Sequence, residues 1–222
     1  MPQPRAHMNH LTEALHIPDT QSERDGRHLA IQRVGIKSLR YPLALRIAGE
    51  VQSTAADWDL DVALPAEQKG THMSRFIAWL EALDAPLDAA TLRQRHAQML
   101  ERLGAEEGRI EARFGFFLRK RAPVSGLASL LDYRGRWISE TRGGHTSVSA
   151  EVSVPVKSLC PCSKEISDYG AHNQRSLVTI RAELLQPVEW HELVRFAEEQ
   201  ASSELWPMLK RVDEKWVTER AY

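Results

Sequence analysis

The sequence predicts an α+β fold in which pairs of strands and pairs of helices alternate along the chain. Three observations carry that reading. Val148, Ala150, Val152, Val154 and Val156 alternate with Ser147, Ser149, Glu151, Ser153 and Lys157, the period of two of a strand with one buried face. Phe76, Trp79, Leu80 and Leu83 recur at i, i+3, i+4 and i+7, the apolar stripe of a helix lying on a core. The order strand, strand, helix, helix, strand, strand over residues 33–142 then begins again after Gly143-Gly144.

Residues 1–32 are polar and irregular, with Pro2, Pro4 and Pro18 and the run Gln21-Ser22-Glu23-Arg24-Asp25-Gly26-Arg27, and read as an N-terminal arm. Leu39, Tyr41, Leu43, Leu45 and Ile47 form the first strand, and Pro42 within it marks a sheet edge. Trp58, Leu60, Val62 and Leu64 alternate with Asp57, Asp59 and Asp61 in the second. Gly70-Thr71 opens the first helix, with Thr71 as its N-cap. A second helix from about Asp88 aligns Leu92, His96, Met99, Leu100 and Leu103 and ends at Gly104, a C-terminal cap. Ile110, Ala112, Phe114, Phe116 and Leu118 mark a third strand, and residues 127–140 a fourth.

The second pass, residues 143–222, starts with the strand around Val148–Val156 and meets a polar loop over 158–176. A strand over 175–185 follows. A helix from Glu189 turns Trp190, Leu193, Val194, Ala197 and Ala201 inward until Pro207 breaks it. A last helical segment holds Leu209, Val212, Trp216 and Val217, and the closing strand pair of the first pass has no counterpart before Tyr222, so the second unit reads as incomplete. Gly143-Gly144-His145 has no strand-to-helix context and reads as a linker between the units rather than a phosphate loop.

Composition narrows the class. With 42% hydrophobic and 27% charged residues the 222-residue chain is globular, not disordered. A net charge of −1 gives no surface for nucleic acid or membrane, so an anionic ligand must be met by local cations. No segment approaches the ~18 apolar residues of a membrane span, and no apolar leader opens the chain. Two cysteines one residue apart cannot staple a fold, which points to the reducing cytoplasm.

Those cysteines, Cys160 and Cys162, precede His172 in a single polar, glycine-containing loop. A thiolate and an imidazole suit a borderline-soft divalent metal, and a third ligand from elsewhere would leave one position open for water. Without further context, cysteines at this spacing are as readily buried small hydrophobes, and a lone histidine a surface or core residue. Cys162 has three readings: a second thiolate, a structural thiol, or a redox-sensitive neighbour able to pair with Cys160. Lys164 and Arg175 flank the loop as donors to an anion. Arg75, one turn from Thr71, faces a phosphate at the helix N-terminus or is a surface arginine; His72 donates to a phosphate or caps the helix.

The block Ser158-Leu159-Cys160-Pro161-Cys162-Ser163-Lys164-Glu165-Ile166-Ser167, with Gly170-Ala171-His172-Asn173-Gln174-Arg175-Ser176, closely resembles the signature of the GTP cyclohydrolase type IB family. Residues 34–37, 69–76 and 209–222 resemble the same family, so the likeness covers nearly all of 30–222. It implies a tunnelling fold, in which repeated strand-strand-helix-helix-strand-strand units assemble into a homo-oligomer, a tetramer, with active sites between subunits. It implies an enzyme that opens the guanine ring of GTP, releases formate and forms 7,8-dihydroneopterin triphosphate, which leads to folate-type pterins and 7-deazaguanine. It implies a divalent metal, Mn, Fe or Zn, activating water for attack at C8. Carried over by position, Cys160, His172 and Glu214 match the metal ligands; around them the residues themselves put Cys162 with Cys160 and His172 as catalytic candidates, and His72, Arg75, Lys164 and Arg175 as substrate-binding candidates. Glu165 and Glu219 compete for the role of Glu214, whose stretch Asp213-Glu214-Lys215 otherwise reads as a solvated helix face. The family continues beyond the position of Tyr222 with a guanine-anchoring glutamate and the strands that close the second unit. Two rival readings stand beside this one: a tunnelling-fold enzyme using a nucleophilic cysteine on a pterin or deazapurine, and a non-catalytic assembly subunit.

Overall fold

In the computed structural model, residues 23–168 and 173–220 are described. The chain forms β1 (Ile31–Ile47), β2 (Glu50–Leu64), α1 (Met73–Glu81), α2 (Ala89–Leu103), β3 (Gly108–Arg121), β4 (Ala128–Arg142) and β5 (His145–Leu159). It continues through α3 (Pro161–Ile166), β6 (Asn173–Glu183), α4 (Trp190–Gln200), β7 (Ser203–Glu204) and α5 (Arg211–Arg220). The fold is α+β, as expected: five helices and an antiparallel sheet of seven strands among the described residues. Spatial order follows chain order from β1 to β6, with β7 beside β5. β1 is an edge strand, in keeping with Pro42.

Strand alternation separates the two faces of this sheet. Trp58, Leu60, Ile110, Ala112, Phe114, Trp137, Val148, Ala150, Val152 and Val154 turn to one side and are buried there against α1, α2 and α4. Trp190 of α4 packs edge-on to Trp137 at 4.8 Å and to Phe114 at 5.3 Å, and Trp79 of α1 meets Trp58 at 6.0 Å. Burying each of these large side chains contributes roughly 2–3 kcal/mol against the entropy of ordering it. The opposite face carries charge. Arg113 holds Asp59 at 2.9 Å and Glu111 at 2.6 Å, Arg136 bridges Glu111 to Glu151, and Arg33 pairs with Asp61.

Local chemistry explains most boundaries. The Asp88 side chain accepts from the Thr91 N–H and starts α2, and Gly104 ends it in the left-handed conformation at φ 62°. The backbone of Gly35 lies so close to β2 that a Cβ there would sit 2.0 Å from the Leu60 carbonyl oxygen, so only glycine fits. Gly143 and Gly144, at φ 55° and 76°, make a two-residue hairpin joining β4 to β5 within one continuous sheet.

Four details differ from expectation. The residue preceding α1 is His72, not Thr71, whose buried hydroxyl finds no hydrogen-bond partner among the described residues. Residues 161–166 are helical, where the sequence suggested only loop; Pro161 suits a first helical turn, and none of the six is buried. α4 ends at Gln200 and the extended Ala201, so Pro207 is not what stops it. Leu209 precedes α5 instead of belonging to it. Ahead of β1, Arg24 bridges Gln68 and the Asp25 N–H donates to the Glu67 carbonyl; the remainder of the expected arm, residues 1–22, lies outside the described residues.

Candidate active site

The valine alternation of β5 runs to Leu159 and delivers Cys160 to the end of the strand. β6 pairs with this end as far as the rungs Ser158–Gln174 and Leu159–Asn173. Ser158 Oγ and Ser176 Oγ lie 2.6 Å apart across it. Cys160 follows the last rung directly. His172, which precedes Asn173, lies outside the described residues.

Cys160 is half-buried and Cys162 exposed, and both are free thiols. Cys160 starts α3: its carbonyl accepts from the Lys164 N–H and the Ser163 hydroxyl, both at 3.2 Å. The Ser163 hydroxyl, and then the N–H groups of Ser163 and Cys162, favour the thiolate and hold the Cys160 thiol below its usual range. Lys164 is exposed in the last turn of α3. Arg175 is exposed on β6 in register with Lys157 of β5, three residues before Cys160.

Glu214 lies in the first turn of α5, exposed. Its neighbour Asp213 is fully buried, so the stretch is not the uniformly solvated face that was its alternative reading. Asp213 Oδ1 accepts from the Val124 and Ser125 N–H groups at 2.9 and 2.8 Å, and Oδ2 from the Ser125 hydroxyl at 2.7 Å and the Lys210 N–H at 2.9 Å. Burial opposes ionisation, but these donors from Ser125, Lys210 and Val124 outweigh it and hold the carboxyl well below the usual carboxylate range. Sequence reasoning missed this residue; a residue three positions into a helix, reaching back to the N–H before it, is the one local signal that was available.

His72 and Arg75 stand elsewhere. The Arg75 guanidinium donates to the Arg102 carbonyl at 3.2 Å, in the last turn of α2. That turn leads into Gly108, whose rungs run through Thr141 to Thr146 near the start of β5. Cys160 follows the other end of the same strand, roughly 45 Å away along an extended chain. Within one chain, α1 and Cys160 therefore stand toward opposite ends of β5. A cleft of about 560 Å3 at the α1 end is lined by Arg33, Asp61, Glu107, Arg109, Glu140 and Arg142, among others, and by none of the expected site residues.

The Cys160 thiol and the solvent-facing Glu214 carboxylate are of types that suit a divalent cation, as is the imidazole of His172 further along the sequence. Among the described residues no three His, Cys, Asp or Glu side chains converge.

A sequence profile described as Type I GTP cyclohydrolase folE2 matches residues 17–222. The chain belongs to that family. It is 61% identical to the GTP cyclohydrolase FolE2 of Methylibium petroleiphilum strain PM1, over 97% of this chain and 83% of that protein. It is 60% identical to the FolE2 of Paraburkholderia xenovorans and 58% identical to that of Burkholderia multivorans, over 97% of this chain and 81% and 80% of those proteins. The match includes the Cys160 loop, the start of α1 and all of α5, the segments that carry every expected site residue. Family membership makes the chain an enzyme of the GTP cyclohydrolase I type, a hydrolase of folate-type pterin biosynthesis.

Proposed function

We propose that this chain hydrolyses the guanine imidazole ring of GTP in a metal-dependent reaction, releasing formate and yielding 7,8-dihydroneopterin triphosphate for folate-type pterins and 7-deazaguanine. The observation that carries the reading is the match of residues 17–222 to a family of GTP cyclohydrolases, spanning the Cys160 segment that the structure sets at the end of β5.

Cys160, His172 and Glu214 are assigned as the ligands of a divalent cation, Mn, Fe or Zn. Such a cation, when bound, supplies Lewis-acid activation of water near neutral pH. The residues of the chain do the rest. Water adds at C8, the C8–N9 bond opens, and a second hydrolysis frees C8 from N7 as formate, leaving N7 as an amine; the ribosyl unit then isomerises to a 2′-ketone, and N7 condenses with it, returning one water and closing the pterin ring. Each departing nitrogen takes up a proton, and Cys162, exposed at the start of α3, is assigned to proton transfer there. Lys164 and Arg175, both exposed beside Cys160, are assigned to the triphosphate, whose charge calls for several charge-assisted donors.

His72 and Arg75 complete the site from α1 of another copy, because within one chain they lie at the far end of β5. A sheet carrying α1, α2 and α4 on one face, with β1 and β6 as its edges among the described residues, supports a tunnelling fold assembled into a homo-oligomer, read as a tetramer. Among the described residues no helix is long and apolar enough to cross a membrane. The free thiols fit the reducing cytoplasm as the compartment.

The test is product identity. The purified chain supplied with Mn2+ and GTP is expected to yield formate and dihydroneopterin triphosphate in equal amounts, and a chelator is expected to stop both. Undiminished turnover in the metal-free chain, blocked by a thiol reagent, would instead establish the nucleophilic-cysteine reading.

A further inference from the structure

The two segments that carry Cys160 and Glu214 are tied to the same piece of the sheet, the end of the β3–β4 hairpin. On one side stands Asp213, fully buried, its carboxylate gripping Val124 and Ser125 of the hairpin loop through three donors. Its fourth donor, the Lys210 N–H, ties the same carboxylate to the start of α5. The loop is itself built: the Ala122 N–H donates to the Leu127 carbonyl at 2.9 Å, and Gly126 takes φ 67°. Val217, one turn after Asp213, is buried on the same helix face. Glu214 is the next residue and points the other way, into solvent.

On the other side stands Lys120, near the end of β3. Its ammonium pairs with Glu198 of α4 at 2.7 Å and with Glu204 of β7, and all but about a tenth of the Lys120 side chain is buried. Tyr133 of β4 donates its hydroxyl to the same Glu198 at 3.0 Å. β7 in turn pairs Glu204 with Val156 and Ser203 with Lys157, taking the edge of β5 that β4 leaves after Ser153. Ser202 accepts from the Leu159 N–H at 3.1 Å, immediately before Cys160. A chain of polar contacts, buried at Lys120 and exposed at Ser202, thus runs from Lys120 to the residue preceding the thiol, and a part-buried one runs from Ser125 to the residue preceding the carboxylate.

We propose that the end of the β3–β4 hairpin is the platform that fixes the relative position of the two metal-ligand segments, with Asp213 and Lys120 as its positioning residues. This rests on the reading of Cys160 and Glu214 as ligands. Metal affinity depends on ligands being held near their bound geometry before the ion arrives, and loss of an orienting group costs on the order of 10–100-fold. Asp213 and Lys120 touch neither substrate nor metal; each acts through the backbone of the segment it anchors.

The test uses Co2+ alone as the probe on the full chain, because a cobalt–thiolate bond has its own near-ultraviolet charge-transfer band. The variants are Asp213→Asn, the milder Ser125→Ala and Lys120→Met, with Cys160→Ser as the control. Folding at the assay temperature is checked by circular dichroism, and Ser125→Ala carries the test if Asp213→Asn does not fold. Asp213→Asn and Lys120→Met are expected to weaken Co2+ binding about 10–100-fold, and Ser125→Ala by less, while the thiolate band persists at saturation. Wild-type affinity in every folded variant, whatever their melting temperatures, would overturn this proposal alone. A wild-type chain that binds Co2+ without a thiolate band, or a Cys160→Ser chain that binds it equally well, would overturn the ligand assignment and this proposal with it.

Discussion

Cys160 owes its bias toward thiolate to the start of α3. The Ser163 hydroxyl is its largest support, and removing that group leaves the backbone N–H donors against the opposing effect of burial. Ser163→Ala is therefore expected to raise the Cys160 pKa and slow alkylation of Cys160 by iodoacetamide at pH 7 in the metal-free chain, read by mass spectrometry as a function of pH. An unchanged rate would remove Ser163 from the account. His96 is a second titrating residue with a defined environment. It is fully buried on α2, its Nδ1 2.6 Å from Ser139 Oγ, and burial lowers its pKa to about 4. Between about pH 6.5 and 4 the unfolded chain binds a proton that the folded chain refuses, so stability is whole above pH 6.5 and falls as pH drops through that window. The expected loss from His96 is about 2 kcal/mol by pH 5, seen as a lower urea midpoint than at pH 7 and reduced in His96→Gln. Asp213 shows what a sequence conceals at this scale. Within Asp-Glu-Lys its charge suggests a solvated face, but its partners Val124 and Ser125 lie almost 90 residues earlier, and only tertiary structure supplies them.

The elements most legible in the sequence are those whose pattern and burial coincide. β5 alternates because one face meets α2 and α4 while the other meets water, so its period of two survives along most of its length. The limits of α2 were legible because Asp88 and Gly104 act locally. α3 was not, since a six-residue helix with no buried side chain imprints no period. β7 was not, since two residues become a strand only because β5 offers an edge. α4 is held by Trp190, buried among Phe114, Phe116 and Trp137 at 5.3, 5.6 and 4.8 Å. Trp190→Ala is expected to cost about 3–5 kcal/mol, measured by denaturant unfolding. Because α4 carries Glu198, the same variant is also expected to loosen the Lys120 contacts; a loss under 1 kcal/mol would show that α4 is not held by this cluster.

At the scale of the whole molecule, the α+β class was legible because the order of periodic segments carries it, and the family because its signature residues are contiguous in sequence. The site is less legible. Cys160 and Glu214 are brought near each other's supports by contacts of long sequence separation, and α1, with His72 and Arg75, stands at the opposite end of β5 in the same chain. A complete site on this account therefore needs more than one copy, with a divalent cation at the β5 end. The measurement that tests this most directly is formate release from GTP at saturating Mn2+, by the wild-type chain and Cys160→Ser side by side. The account predicts formate from the wild type and none above background from the variant, with the chelated wild type equally silent. Formate from Cys160→Ser at the wild-type rate would contradict it.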